Sequence, residues 1–116
     1  MKNKEATRFY SDLHEKNICK KLGGKQTSNS GANRFQKGDV IVDKASLLIE
    51  AKCSITPKNS MSIKRDWIEK NKEEAFRNRL QNNCICFNFE PFGKNFYVID
   101  ENLMQLLIEK LEEENT

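Results

Sequence analysis

Three side chains near the middle of the sequence have the types and the spacing of a metal-assisted phosphate site. Asp39 is followed eleven positions later by Glu50, and Lys52 comes two positions after Glu50. Carboxylate oxygens suit Mg²⁺, which takes one or two carboxylates and fills its other positions with water and phosphate oxygens. A nearby ammonium group offsets charge that develops on a phosphate. The three residues can therefore do phosphate chemistry if the fold brings them together.

A β-hairpin would bring them together. Residues 40–42 and 47–49 are apolar runs on either side of a polar break, which is the pattern of two short strands joined by a tight turn. This turn places Asp39 directly opposite Glu50 on the neighbouring strand. Opposed like charges repel, so the pair requires a proton on one acid or a cation between them. Because side chains alternate along a strand, Lys52 lies on the same face as Glu50.

These residues carry a family resemblance. An acid followed by a Glu-Ala-Lys triplet, each at the polar end of an apolar strand, resembles the D...ExK signature of the PD-(D/E)xK nuclease superfamily. Within that superfamily, residues 28–31, 38–41 and 48–52 together resemble archaeal-type Holliday-junction resolvases and related phage nucleases. The chain has Lys37-Gly38 before the acid, where the superfamily name has a proline that many members also lack.

The resemblance implies a Mg²⁺-dependent DNA endonuclease, with Mn²⁺ able to substitute. Asp39 and Glu50 would hold the ion, with the carbonyl of Ala51 as a backbone ligand. Lys52 would orient the attacking water or offset charge on the phosphate. Branched or junction DNA would be the substrate, as in DNA recombination. A homodimer would supply two sites for the coordinated cutting of two strands.

The resemblance also implies roles for residues outside the hairpin. A first helix is predicted over residues 5–22, and Glu15 shares the apolar stripe of Ile18 and Leu22. Helical position alone is equally compatible with an exposed glutamate, whereas the family's first-helix glutamate would make Glu15 a third acid aimed at the metal. Candidate DNA contacts, which would otherwise be turn residues or solvated cations, are Ser28, Ser30, Arg34, Lys37 and Lys64.

The remaining patterns predict one α/β domain over residues 1–116. Further strands are predicted at 25–30, 83–90 and 95–99, and further helices at 62–80 and 101–113. The order is αβββαββα. Strand 83–90 is largely apolar on both faces, which predicts a mixed central sheet flanked by helices, as in restriction-endonuclease-like proteins. The last helix is predicted to turn Leu103, Leu106, Leu107 and Leu111 inward.

Charge and composition favour a soluble protein with a polyanionic partner. The first 99 residues carry a net charge of +8, whereas residues 100–116 hold six acids and one lysine. A basic body fits nucleic acid, although a solvated lysine-rich surface fits equally well. The sequence has no run of eighteen apolar residues and no leader-like segment after its charged start, so a cytoplasmic location without membrane contact is predicted, in a bacterial, archaeal or phage-infected cell.

The cysteines and the histidine do not have the spacing of a zinc site. The four cysteines include no CxxC pair, and free thiols are therefore predicted. His14 has no partner at ligand spacing and is predicted to lie at the surface or half-buried.

Two other functions remain open. A non-catalytic DNA-binding or regulatory module that kept the nuclease fold would be missing at least one ligand, and none is evidently missing here. A small α/β interaction domain would carry the D...ExK pattern by chance.

Overall fold

A computed structural model describes residues 2–27 and 39–116. The helices are α1 (Lys2–Leu22), α2 (Arg65–Arg77) and α3 (Glu101–Glu114). The strands are β1 (Lys25–Gln26), β2 (Asp39–Val42), β3 (Leu47–Lys52), β4 (Asn82–Phe87) and β5 (Phe96–Val98). A single 3-10 turn at Asp43–Ala45 joins β2 to β3. The predicted order αβββαββα is therefore present in the described chain.

The strands form one open mixed sheet in the order β1-β2-β3-β4-β5. Strands β3 and β4 are parallel, and the other neighbouring pairs are antiparallel. Helix α2 makes the crossover between β3 and β4, as parallel neighbours require. The first turn of α2 therefore lies near the end of β3 at which Lys52 is located.

Each face of the sheet packs against one helix. On the first face, Ile18 of α1 is fully buried against Val40 and Ile49, together with Cys84 and Cys86 of β4. This part of the sheet is buried on both sides, which explains why its strands are apolar in nearly every position.

The second face carries a smaller core. Ile41 and Leu48 of the hairpin pack with Ala75 of α2, and the partly buried Leu80 covers them. Asp39, Glu50 and Lys52 also belong to this second face, because side chains alternate along each strand.

Helix α2 is shorter than predicted. It begins at Arg65 rather than Ser62, and Lys64 is its N-cap residue in an extended conformation. The chain around Pro57 and Ser62 therefore remains irregular up to the cap. The helix ends at Arg77 in a Schellman motif, in which the N–H of Leu80 donates to the carbonyl of Ala75 at 2.9 Å.

The inward orientation predicted for the last helix is wrong. Leu106, Leu107 and Leu111 of α3 are 40%, 44% and 62% exposed, and only Leu103 is half-buried. Both faces of the central sheet are already occupied by α1 and α2, so α3 extends away from them. No helix in the described ranges has the length and apolar character needed to cross a membrane.

The turn after α1 leads to a testable stability prediction. Gly23 ends the helix with φ 73° in open space, whereas a Cβ on Gly24 would lie 2.9 Å from the carbonyl oxygen of Ile41 and 2.9 Å from Val40 Cγ1. We expect Gly24→Ala to lower the free energy of unfolding by about 2 kcal/mol, because a backbone carbonyl cannot move aside cheaply. Gly23→Ala is the comparison and should cost about 1 kcal/mol through backbone strain. The free energies of unfolding would be measured in urea. A larger loss of stability for Gly23→Ala than for Gly24→Ala would contradict this packing.

Candidate active site

The hairpin places Asp39 directly opposite Glu50, so the predicted register is confirmed. Asp39 is the first residue of β2 and is 1% exposed, and Glu50 in β3 is 7% exposed. Two carboxylates therefore face each other in a largely dehydrated position. The repulsion between them is stronger here than at a solvated surface, because the effective dielectric constant is lower.

Backbone hydrogen bonding shows whether Asp39 and Glu50 form a hydrogen-bonded or a non-hydrogen-bonded pair. The carbonyl of Asp39 accepts the N–H of Thr27 at 3.1 Å, so the backbone groups of Asp39 point away from β3. Asp39 and Glu50 therefore form a non-hydrogen-bonded pair, in which Cα atoms are about 4.5 Å apart and side chains lie closest. By the same alternation, the carbonyl of Ala51 points toward the β2 side of the strand. This direction is compatible with the predicted role of Ala51 as a backbone ligand.

Lys52 supplies the positive charge beside this pair. Its Nζ lies 2.8 Å from Glu50 Oε2, on the face predicted by strand alternation. The same Nζ lies 4.5 Å from the centroid of the Trp67 ring in α2. A charged ammonium is stabilised by the face of an indole ring, so Trp67 limits the movement of the Lys52 side chain.

Helical spacing predicts that Trp67 belongs to the core or to an interface, and in the structure Trp67 lies half-buried beneath Lys52. The signal that could have found this contact is the parallel crossover, because the first turn of α2 must return to the end of β3.

The site's donor atoms fit a hard divalent cation. Glu50 Oε2 contacts Lys52, whereas the buried Glu50 Oε1 has no hydrogen-bond partner among the residues that the structure describes. A buried carboxylate oxygen without a donor is unfavourable, and a cation would satisfy it. Every candidate ligand here is an oxygen, which matches Mg²⁺ or Mn²⁺ rather than zinc.

Glu15 is buried, as its position on the Ile18 stripe allows, and is not an exposed glutamate. It is 9% exposed and accepts a hydrogen bond from Gln26 Nε2 at 3.0 Å. Gln26 lies opposite Val40, so this contact belongs to the α1 face of the sheet rather than the α2 face. Within residues 2–27 and 39–116, no three His, Cys, Asp or Glu side chains are grouped to hold an ion. A third-ligand role for Glu15 stays a prediction.

The candidate DNA contacts lie largely beyond the described structure. Ser28, Ser30, Arg34 and Lys37 fall in residues 28–38, outside the described residues. Lys64 is described and exposed. Its Nζ lies 5.8 Å from the centroid of the Trp67 ring, on which the ammonium of Lys52 also lies. Lys64 therefore places a second cation beside the site.

Buried polar side chains of α2, which were not predicted from the sequence, face the same side of the sheet as the acid pair. Asn71 is 1% exposed, and its Oδ1 accepts from Asn83 Nδ2 at 2.8 Å. Glu74, one turn further along, is fully buried. The signal was the spacing of Trp67, Asn71 and Glu74, which lie on one stripe of an amphipathic helix.

The cysteines carry free thiols, as predicted. Burial raises the pKa of Cys84 to about 12 and that of Cys86 to about 11, so both stay protonated at neutral pH. They belong to the apolar core beneath α1, not to a reactive site.

His14 is buried, which contradicts the predicted surface or half-buried location. It is 6% exposed, and its Nε2 lies 2.9 Å from Asn95 Oδ1. Burial lowers the pKa of His14 below its ordinary value of 6.5, and the hydrogen bond to Asn95 opposes this only partly. The neutral imidazole is therefore the form that the fold accommodates.

The lowered pKa of His14 makes stability depend on pH. Below pH 6.5 the unfolded chain binds a proton that the folded chain resists, so we expect the free energy of unfolding to fall as the pH decreases from 7 toward 5.5. The same measurement on His14→Gln should show a shallower decrease. Equal slopes for the two proteins would exclude His14 as the cause.

Comparisons of the chain with protein-family models, curated proteins and solved structures found no match. The fold itself defines a mixed α/β protein with an open five-stranded sheet in the described chain. Its site is a buried acid pair with an adjacent lysine.

Proposed function

We propose that the chain is a Mg²⁺-dependent DNA endonuclease with the PD-(D/E)xK type of site. The observation that supports this most is the register of the hairpin, which opposes buried Asp39 and Glu50 and puts Lys52 Nζ 2.8 Å from Glu50. Buried like charges in direct opposition destabilise a fold, so their presence favours a function that needs them. Mn²⁺ is expected to replace Mg²⁺, since both accept oxygen ligands.

The acids and the lysine of the site would have different roles. Asp39 and Glu50 would hold the ion, together with the Ala51 carbonyl. The resemblance implies Glu15 as a further acid, although the contact of Glu15 with Gln26 lies on the α1 face of the sheet. A bound Mg²⁺ supplies polarisation of the scissile phosphate and lowers the pKa of an attacking water. Lys52 is held between Glu50 and Trp67. Its ammonium would donate a hydrogen bond to the phosphate oxygens on which negative charge develops.

The proposed substrate is branched or junction DNA, and the proposed working unit is a homodimer. The described part of the chain has one such site, whereas the coordinated cutting of two strands requires two. Twofold symmetry supplies the second site most simply. The residues that would contact phosphates are Lys64 beside the site, with Ser28, Ser30, Arg34 and Lys37.

Cleavage assays test this function directly. A four-way junction, linear duplex of the same sequence and plasmid would be incubated with Mg²⁺, Mn²⁺ or EDTA. Cleavage of the junction with either ion and none with EDTA is the expected result. Asp43→Asn is the matched control for Asp39→Asn, since Asp43 is an exposed hairpin acid, 3.0 Å from Lys25 Nζ, and should not affect cutting.

Other outcomes would select a different function. Tight DNA binding without cleavage under any ion would favour the non-catalytic DNA-binding or regulatory module. Cleavage without preference for the junction would leave only the general nuclease. The absence of both DNA binding and DNA cleavage would refute the nuclease proposal.

A further inference from the structure

The exposed apolar side chains of α3 are not covered by any part of the described chain. Met104, Leu106, Leu107, Ile108 and Leu111 are each between 40% and 62% exposed on a helix of fourteen residues. Such a concentration is far above the scattered apolar residues of an ordinary surface and indicates an interaction face.

A groove lies at the start of the same helix. A cavity of about 760 Å³ runs between the end of α2 and the first turn of α3. Its apolar lining includes Ala75, Leu80 and Phe76, which is 83% exposed.

The rim of the groove is basic. Lys72, Arg77 and Arg79 line it, with Asp100 as the acid among the lining residues. Arg79 has φ 59°, a conformation at the end of a Schellman motif that glycine adopts at lower cost. An arginine in this position, where glycine would be less strained, favours a use for its side chain.

The second half of α3 carries the complementary charge. Residues 109–114 contain four glutamates and one lysine. The helix thus combines an apolar face with an acidic end, and the groove combines an apolar floor with a basic rim.

We propose that α3 is the dimerisation element, and that it pairs antiparallel with α3 of a second copy while its acidic end enters the partner's groove. Leu107 lies at the middle of Glu101–Glu114, so a twofold axis beside it places Leu111 of each copy against the second copy's Leu103. Glu112 and Glu113 then reach the second copy's Arg77 and Arg79. The arrangement is closed and self-complementary.

The charges of α3 and of the groove favour an antiparallel second copy of α3 over a parallel partner helix or a membrane surface. A partner helix aligned parallel would put the acidic ends together, whereas the antiparallel pair puts each acidic end beside a basic rim and the positive end of a helix dipole. An anionic membrane surface would repel residues 109–114.

Pairing through α3 supplies the surface of the homodimer named under the proposed function, and it does not depend on the chemistry at Asp39. Sedimentation therefore tests the pairing whether or not the protein cuts DNA. The wild-type chain is expected to be a dimer at micromolar concentration, and Leu107→Asp is expected to be a monomer with an unchanged circular dichroism spectrum. Phe92→Asp is the control, because Phe92 is 75% exposed in the turn after β4 and should leave the dimer intact.

A charge-reversal pair tests the groove. Arg77→Glu with Arg79→Glu should weaken the dimer about tenfold or more, as should Glu112→Lys with Glu113→Lys. Mixed in equal amounts, the two double variants should form a heterodimer that is tighter than either variant's own dimer, since opposite charges then meet across the interface. A monomeric wild type, a Leu107→Asp dimer, or no recovery in the mixture would each overturn the proposal.

Discussion

Asp39→Asn is expected to reduce DNA cleavage to background while the protein stays folded. The substitution removes one of the two carboxylates that oppose each other in the buried hairpin pair, so ion binding at the site should disappear with it. The same substitution removes a repulsion across the ladder. The free energy of unfolding without metal should therefore rise, by about 1 kcal/mol or less.

Ion binding and stability are measured separately to establish the cause. Titration calorimetry with Mn²⁺ compares wild type with Asp39→Asn and with the double variant Asp39→Asn, Glu50→Gln. Asp43→Asn, in the exposed turn of the same hairpin, is the control and should bind the ion as wild type does. Equal ion binding by wild type and the double variant would refute the metal assignment.

Lys52→Ala should reduce the cleavage rate about a hundredfold to a thousandfold while the affinity for DNA stays the same. The Lys52 ammonium lies 2.8 Å from Glu50 and 4.5 Å from the Trp67 ring, fixed beside the place where the phosphate would bind. A group held in this way acts on charge that develops during reaction rather than on overall binding. Lys44→Ala is the matched control, since Lys44 is an exposed lysine in the hairpin turn.

The salt dependence of binding distinguishes chemistry from affinity. Removing the charge of Arg34, Lys37 or Lys64 should weaken binding and reduce the slope of log affinity against log salt by about one for each phosphate that is no longer neutralised. Lys52→Ala should leave that slope unchanged. A Lys52→Ala protein that cuts at the wild-type rate would remove Lys52 from the mechanism.

Periodicity and turn chemistry determine the hairpin, which is why its register could be derived from the sequence. A period of two sets the faces of β2 and β3, and a short polar break sets the pairing of Asp39 with Glu50. A slip of one residue would move the apolar set of each strand to the wrong face. Local sequence thus specifies the central pair, the position of Lys52 and the order of the elements.

Tertiary structure decided the features that depend on which surfaces were already covered. Helices α1 and α2 fill the two faces of the central strands, and the leucines of α3 beyond its first turn are left exposed. Periodicity shows that a helix has an apolar face but does not identify what covers it.

The same limit applies to individual side chains. The stripe of Glu15 was equally compatible with burial and with exposure, and its contact with Gln26 depends on how α1 lies across β1. The position of Trp67 beneath Lys52 depends on where the crossover returns α2 to the sheet. Sequence therefore determined which residues share a face of one element, and packing determined which faces of different elements meet, because such contacts join residues far apart in the chain.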